Sequence, residues 1–161
     1  MFLEQKTFET VIDSTPLVSI DLVVLNENNE ALLGQRLNRP AEGFWFVPGG
    51  RILKNESLAN AFKRLTHNEL GIEVELSIAE LLGPYDHFYD DCVFNDEIKT
   101  HYVAIAYVLR LTKQQLDALP LNEQHGAYKW FGFDELLKSP AVHKHTKWYF
   151  EALTKQTQGI L

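Results

Sequence analysis

One acidic residue lies on the apolar face of the helix that the sequence indicates most clearly. Residues 57–70 begin with a candidate N-cap, Ser57, and are followed by Gly71 as a C-terminal stop. Apolar residues recur at the i, i+3, i+4, i+7 spacing of a buried face: Leu58, Ala61, Phe62 and Leu65. At about 100° per residue, Glu69 lies about 20° from Leu58 on that face. A carboxylate buried there is costly unless it is paired or binds a cation, although a place in the last turn also allows it to reach water.

A glycine pair upstream of this helix offers the backbone oxygens that a hard cation would need. Gly49 and Gly50 end a short apolar strand, where glycine lets the backbone approach a ligand closely. Free carbonyl groups there could join Glu69 in binding magnesium, which prefers oxygen ligands and takes few of them from protein. Arg51 and Arg64 would then neutralise phosphate oxygens. This combination indicates a magnesium-dependent site for a phosphorylated ligand.

The composition predicts a single enzyme domain over residues 1–161. The chain is 45% hydrophobic and 23% charged, as in ordinary globular proteins. A net charge of −7 argues against nucleic acid as a partner, although grouped arginines (Arg36, Arg39, Arg51 and Arg64) still allow a small anionic ligand. No apolar run is long enough to cross a membrane, no secretory signal is evident, and the single cysteine fits a reducing compartment. We therefore expect a cytoplasmic enzyme without a membrane partner.

The alternation of apolar and turn-forming segments predicts an α/β fold. A first helix over 5–14 ends before Pro16, and a buried strand over 17–25 is followed by a hairpin partner over 31–36. The remaining predicted elements are strands over 44–47, 72–82, 101–111 and 129–133, an aromatic, acidic loop over 83–99, and a closing helix over 143–155. This irregular order favours a mixed sheet with helices on both faces.

Residues 50–72 resemble the Nudix box, G-x5-E-x7-R-E-U-x-E-E-x-G-U. Six positions stand in register with it: Gly50, Glu56, Arg64, Glu69, Gly71 and Ile72. Two acids are absent, because Leu65 stands where the box has glutamate after the arginine, and Asn68 replaces the first glutamate of the terminal pair. The resemblance implies a Nudix-type α/β/α sandwich and metal-dependent hydrolysis, while the departures argue against the usual site with two or three metal ions.

The same two departures occur in one Nudix subfamily, the GDP-mannose mannosyl hydrolases. Similarity to that subfamily extends over residues 14–19, 38–40, 45–50, 87–91, 100–103 and 123–125. It implies that water attacks C1 of the sugar with inversion and releases GDP and the free sugar. GDP-mannose is the expected substrate, with GDP-glucose as a second candidate. The resemblance further implies a homodimer and Mg²⁺ as cofactor, with Mn²⁺ as an acceptable substitute at oxygen ligands.

The resemblance also assigns the metal ligands and the base. The metal would be bound by the Gly49 carbonyl, by Glu69 and by Gln124, which comes from a separate loop and partly replaces the absent acids. His125 would be the general base, a task that suits histidine because its ordinary pKa lies near the working pH. Arg36 and Arg51 would bind the diphosphate and stabilise its negative charge as it leaves.

Further substrate contacts are expected from residues outside the box. The candidates are Asp21, His87, Tyr89, Tyr102 and Phe2. Asp21, on a buried strand, needs a partner, which would be Arg51 or the sugar hydroxyls. His87 and Tyr89 either close over the sugar or form a dimer contact. Phe2 and Phe8 either stack on the guanine or pack in the core or across a dimer.

Structural alternatives apply to the basic and aromatic candidates. Surface arginines are usually solvated, a tyrosine on a strand usually packs in the core, and a histidine on a loop is usually only exposed. Arg64 and Glu56 would pair with each other and so orient Glu69, as residues beside metal ligands often do.

Two other functions compete with sugar hydrolysis. The first is a Nudix pyrophosphatase that attacks phosphorus in a nucleotide sugar, against which Leu65 and Asn68 argue. The second is an inactive Nudix domain that senses a ligand or binds another protein. The joint presence of Glu69, Gln124 and His125 argues against this second function.

Overall fold

The structure is a computed structural model that describes residues 2–117 and 125–159. The helices are α1 (Gln5–Ser14), α2 (Leu58–Leu70), α3 (Phe133–Lys138) and α4 (Lys144–Gly159), with a turn of 3-10 helix at Leu76–Ile78. The strands are β1 (Leu17–Leu25), β2 (Ala31–Arg36), β3 (Trp45–Phe46), β4 (Gly49–Arg51), β5 (Glu80–Tyr89), β6 (Thr100–Arg110) and β7 (His125–Phe131). Within the described ranges, no helix is both long and apolar enough to span a membrane.

The strands form a mixed sheet in the order β3-β2-β1-β6-β5, with β4 also paired to β1 and β7 also paired to β2. Strands β1 and β6 run parallel, from Leu17 opposite Tyr102 to Leu25 opposite Arg110. The other pairings are antiparallel. The predicted mixed sheet is therefore confirmed, with its one parallel pair at the centre.

Each face of the sheet is covered by a separate hydrophobic cluster. On one face, the β1 residues Ile20 and Leu22 belong to the same cluster as Phe62 of α2. On the other face, Val23 belongs to a cluster that includes Phe150 of α4. The alternation along β1 follows from the two-residue repeat of a strand. It confirms the predicted α/β/α sandwich.

Helix α2 has the predicted ends. The Ser57 hydroxyl accepts a hydrogen bond from the Asn60 N–H at 3.1 Å, and Gly71 closes the helix in the left-handed conformation with φ of 78°. One predicted core residue is wrong: Leu58 is 42% exposed, because the cluster beneath this helix begins with Ala61.

The prediction for residues 72–99 is also wrong in its boundaries. Strand β5 starts at Glu80 and continues through Gly83 and Pro84, which we expected to lie in a loop. A proline fits here because β5 is an edge strand, where one N–H needs no partner. Gly83 has φ of 140° and lies at a register shift against β6, so the strand bends there without ending.

Candidate functional site

A cavity of about 610 Å³ opens beside β1, β4 and α2. The described residues that the sequence analysis assigned to the metal or the substrate all line it: Phe2, Asp21, Arg36, Gly49, Arg51, Glu69, His87, Tyr89 and Tyr102. They come from α2, from five strands and from the segment before α1. The topology thus brings candidates that are far apart in sequence to one place.

Two further candidates belong to the segment before β7. Gln124 lies outside the described residues. The backbone of His125 is described and pairs with Arg36 at the start of β7. This register brings the His125 backbone next to an arginine of the cavity, and the roles of both residues stay predictions.

Glu69 lies on the buried side of α2, as its helical phase predicted. The residue is only 4% exposed, so the alternative in which it frays into water is wrong. The Tyr128 hydroxyl donates to its Oε2 at 3.3 Å and approaches its backbone carbonyl at 3.4 Å. A buried carboxylate is therefore held at the wall of the cavity.

The glycine pair packs too closely for any side chain. A Cβ on Gly49 would lie 2.4 Å from the Ile20 carbonyl oxygen and 2.6 Å from Asp21 Oδ1. A Cβ on Gly50 would lie 2.6 Å from Leu65 Cδ2. Leu65, which replaces an acid of the Nudix box, thus packs directly against Gly50 of β4.

Arg64 and Glu56 form the predicted pair. Arg64 Nε lies 2.7 Å from Glu56 Oε2, and its Nη2 donates both to Oε1 at 3.0 Å and to the Arg51 carbonyl at 2.9 Å. Glu56 also accepts the Leu53 N–H at 3.1 Å. These bonds, chiefly those from Arg64, hold the pKa of Glu56 below its usual value. The pair therefore ties the segment after β4 to α2.

The two arginines assigned to the diphosphate are held by aromatic rings. The Arg36 guanidinium lies 4.9 Å from the centre of the Phe46 ring and donates to the Pro40 carbonyl at 3.0 Å. The Arg51 guanidinium lies 4.7 Å from the centre of the Phe8 ring. Such contacts restrict an arginine without neutralising its charge. Both side chains can therefore attract an anion in the cavity.

Asp21 accepts a hydrogen bond from Tyr149, which was not among the predicted site residues. The Tyr149 hydroxyl donates to Asp21 Oδ2 at 2.5 Å and lies 3.2 Å from His87 Nε2. Burial raises the pKa of Asp21 to about 6, although Tyr149 and Arg36 counteract the rise. The predicted need of Asp21 for a partner is thus met by a tyrosine of α4 and not by Arg51.

Three histidines pack together beside the cavity: His87, which was predicted as a substrate contact, and His143 and His145, which were not predicted. His87 stacks on His145 with a centroid distance of 4.3 Å, and His143 stacks on Phe46 at 4.7 Å. Burial lowers the pKa of His87 and His143 to about 4 and that of His145 to about 3. All three rings are therefore neutral at neutral pH.

The remaining candidates that line the cavity are Tyr89, Tyr102 and Phe2. Burial raises the pKa of Tyr89 and Tyr102, so both hydroxyls stay protonated donors. His87 and Tyr89 lie on β5, not in the expected loop. Phe2 is 96% exposed.

The chemistry of the donor set fits a hard cation. Glu69 supplies a buried carboxylate, and the glycine pair exposes backbone beside it on the same cavity. Across residues 2–117 and 125–159, no three His, Cys, Asp or Glu side chains converge as a metal site. A cation at Glu69 would consequently need oxygen atoms from backbone or amide groups, which magnesium accepts.

The fold is that of a Nudix-type hydrolase. Residues 15–152 match the NUDIX domain family. The chain therefore belongs to the Nudix hydrolase family, whose members generally use divalent metals such as Mg²⁺.

Similar proteins agree with this assignment. The low-salt glycan biosynthesis protein Agl8 of Haloferax volcanii is 38% identical over 91% of this chain and 87% of its own length. A MutT NUDIX hydrolase from Burkholderia pseudomallei has a TM-score of 0.66 and 28% identity, over 87% of this chain and 99% of that one. The MutT protein of Methanosarcina mazei has the same fold, with a TM-score of 0.71 and 22% identity over 90% and 98% of the two chains.

Proposed function

We propose that the protein hydrolyses GDP-mannose, with GDP-glucose as a second candidate substrate, by attack of water at C1 of the sugar. The products are GDP and the free sugar with inverted configuration. The proposal depends on one observation above all: two positions where the Nudix box has acids are occupied by Leu65 and Asn68, and both line the cavity. Leu65 also fills the space against Gly50.

This helix face is poorly suited to attack at phosphorus. Hydrolysis of a diphosphate bond by a Nudix box relies on several carboxylates that bind metal ions and assist water. Here Glu69 is the acid of α2 that lines the cavity. A site with fewer carboxylates can still stabilise a diphosphate that leaves as a unit, because its arginines and one metal ion would carry most of the compensating charge.

The walls of the cavity suit a nucleotide sugar in size and chemistry. The volume of about 610 Å³ lies in the range of ordinary small-molecule sites. Arg36 and Arg51 would bind the diphosphate, with a hydrogen bond from Tyr102. Asp21 and His87 would accept hydrogen bonds from the sugar, and Phe2 would stack on the base. A relative whose name places it in glycan biosynthesis supports a sugar-containing substrate.

Magnesium, or manganese in its place, would be bound by the Gly49 carbonyl, Glu69 and Gln124. When bound, it supplies positive charge to the diphosphate as that group departs. Arg64 supports this arrangement because it pairs with Glu56 and donates to the Arg51 carbonyl. These two contacts link strand β4 to α2.

His125 would remove a proton from the attacking water. A diphosphate is already a good leaving group, so the second carboxyl of most glycosidases is unnecessary here. The protein would act as a homodimer in the cytoplasm, and both properties stay predictions of the sequence.

Hydrolysis of GDP-mannose in ¹⁸O water tests the site of attack. We expect GDP and mannose as products, with the label in mannose and none in GDP. Unlabelled mannose incubated in parallel corrects for exchange at the anomeric oxygen. Label in a phosphate group would show attack at phosphorus and refute the proposal, and the absence of any product would favour an inactive Nudix module.

The variant His125→Gln tests the base. Loss of a general base lowers turnover by about 10²–10⁴-fold, whereas the affinity for GDP should stay as in the wild type. The matched control is His67→Gln, because His67 is exposed on α2 and does not line the cavity. Equal kcat in His125→Gln and the wild type would remove His125 from the mechanism.

A further inference from the structure

We propose that Tyr149 is a positioning residue that fixes the tautomer of His87 and the orientation of the Asp21 carboxylate at the wall of the cavity. Tyr149 is fully buried on α4, behind the wall that Asp21 and His87 form. The inference rests on the proposed function for the identity of the ligand, whereas the hydrogen bonds that support it do not depend on any ligand.

The direction of these hydrogen bonds follows from the single proton of a phenol. Burial, the nearby Asp21 charge and the hydrogen bond to Asp21 all raise the pKa of Tyr149 above its usual value, so the hydroxyl keeps its proton. That proton is donated to Asp21 Oδ2 at 2.5 Å. The phenol oxygen can then only accept from His87 Nε2, which lies 3.2 Å away. His87 must therefore carry a proton on Nε2.

The other ring nitrogen of His87 is consequently an acceptor. Because burial lowers the pKa of His87 to about 4, the ring is neutral at neutral pH and holds one proton. In the described ranges, His145 Nδ1 is the buried side-chain nitrogen that lacks a partner. Nδ1 of His87 is not a buried nitrogen of that kind. Because His87 lines the cavity, a ligand there would be able to donate a hydrogen bond to Nδ1.

Stacking prevents the His87 ring from turning over. His87 and His145 stack with an interplanar angle of 10°. His145 and Tyr149 are four residues apart on α4, so one helix face supplies both the stacking ring and the hydroxyl. Tyr149 is itself packed edge-on against Tyr85 at 4.8 Å.

This arrangement makes part of the wall rich in acceptors. Asp21 and His87 would accept hydrogen bonds from neutral hydroxyl groups, and they would repel a phosphate. The opposite tautomer of His87 would present an N–H donor in the same place. Tyr149 therefore selects a sugar hydroxyl at this end of the cavity without touching it.

Nitrogen-15 NMR of the histidine rings tests the tautomer directly in the intact protein. The sequence has six histidines, and the His87 signals are those that disappear in His87→Gln. We expect the Nε2–H tautomer in the wild type and its loss or mixing with the Nδ1–H form in Tyr149→Phe. An Nδ1–H tautomer in the wild type, or an unchanged tautomer in a folded Tyr149→Phe, would overturn the proposal. If Tyr149→Phe does not fold, the His87 tautomer in the wild-type spectrum decides the question by itself.

Kinetics separates this role from simple support of the fold. Loss of the hydroxyl should lower kcat/KM for GDP-mannose on the order of 10- to 100-fold while the Kd for GDP changes by less than about twofold. The matched control is Tyr107→Phe, which removes a phenol hydroxyl from the cluster on the other face of the sheet and should leave both values unchanged. A parallel loss of GDP affinity in Tyr149→Phe would indicate general damage and contradict the proposal. If the wild type releases no sugar, the proposed function fails, and the NMR result still decides the role of Tyr149.

Discussion

Glu69 places a buried carboxyl group in a cavity that is also lined by four arginines. Its carboxylate is 4% exposed and accepts a hydrogen bond from Tyr128. A buried carboxylate is stabilised when a cation binds beside it, and Glu69 faces the cavity. For this reason we propose Glu69 as a metal ligand.

The variant Glu69→Gln tests that interpretation. It keeps the shape of the side chain and the acceptor for Tyr128 but removes the charge, so we expect the magnesium concentration at half-maximal activity to rise at least about tenfold. The control is Glu73→Gln, because Glu73 is exposed and pairs with Lys63 outside the cavity. An unaltered magnesium titration in Glu69→Gln would count against a role as ligand.

Residues that line the cavity could be predicted where the sequence places a polar side chain on an apolar face, and their roles stay predictions. Glu69, on the apolar face of a helix, and Asp21, on a buried strand, were both predicted for this reason. The partner of Asp21 could not be found in the same way, because Tyr149 lies 128 residues further along the chain. On sequence grounds, a tyrosine of α4 is an ordinary core residue. His143 and His145 were not predicted for the same reason, whereas His87 was predicted as a substrate contact but without its histidine neighbours.

Helices and strands were predictable to the extent that a local repeat or a capping residue defines them. Helix α2 has 13 residues, a Ser57 cap and a Gly71 stop. Helix α3 has six residues, too few to show a helical repeat, and was missed. The course of β5 through Gly83 and Pro84 depends on its position at the sheet edge. Local sequence does not reveal that position.

The cap of α2 gives a prediction at this scale. Ser57→Ala removes the acceptor for the Asn60 N–H and should lower the free energy of unfolding by roughly 1 kcal/mol. Ser57→Asp keeps an acceptor and should restore the stability, as urea unfolding would show. The kcat of the folded enzyme should be the same in all three proteins, because Ser57 does not line the cavity. Equal stability of Ser57→Ala and the wild type would mean that the hydrogen bond from the Asn60 N–H to Ser57 does not contribute to the free energy of unfolding.

The whole molecule should lose stability as the pH falls below the ordinary histidine pKa. An unfolded chain takes up protons on His87, His143 and His145 near pH 6.5, whereas the folded rings stay neutral until about pH 4 or, for His145, about pH 3. Asp21 acts in the opposite direction, because its pKa is raised from 3.8 in the unfolded chain to about 6 in the folded protein. Its carboxylate therefore destabilises the fold at pH 7, and this effect is lost as the pH falls from about 6 to 3.8. The loss of stability from the three histidines exceeds the gain from Asp21, so the net free energy of unfolding falls.

We therefore expect urea unfolding to give a smaller free energy at pH 5 than at pH 7. Replacement of His145 by Asn should reduce the difference between the two pH values, because one group that gains a proton on unfolding is removed. Equal or greater stability of the wild type at pH 5 would show that the buried histidines do not control the pH dependence.

The parallel pairing of β1 with β6 determines when the cavity can form during protein synthesis. The cavity is lined from both strands, and their last paired residues are Leu25 and Arg110. Closing such a long loop costs chain entropy before any contact between the two strands compensates it. On the ribosome, β1 is therefore synthesised well before its parallel partner β6, and until then its β6-facing edge is unpaired. A nascent chain that has not yet released β6 has β4 and the first arginines but lacks the β6 wall of the cavity.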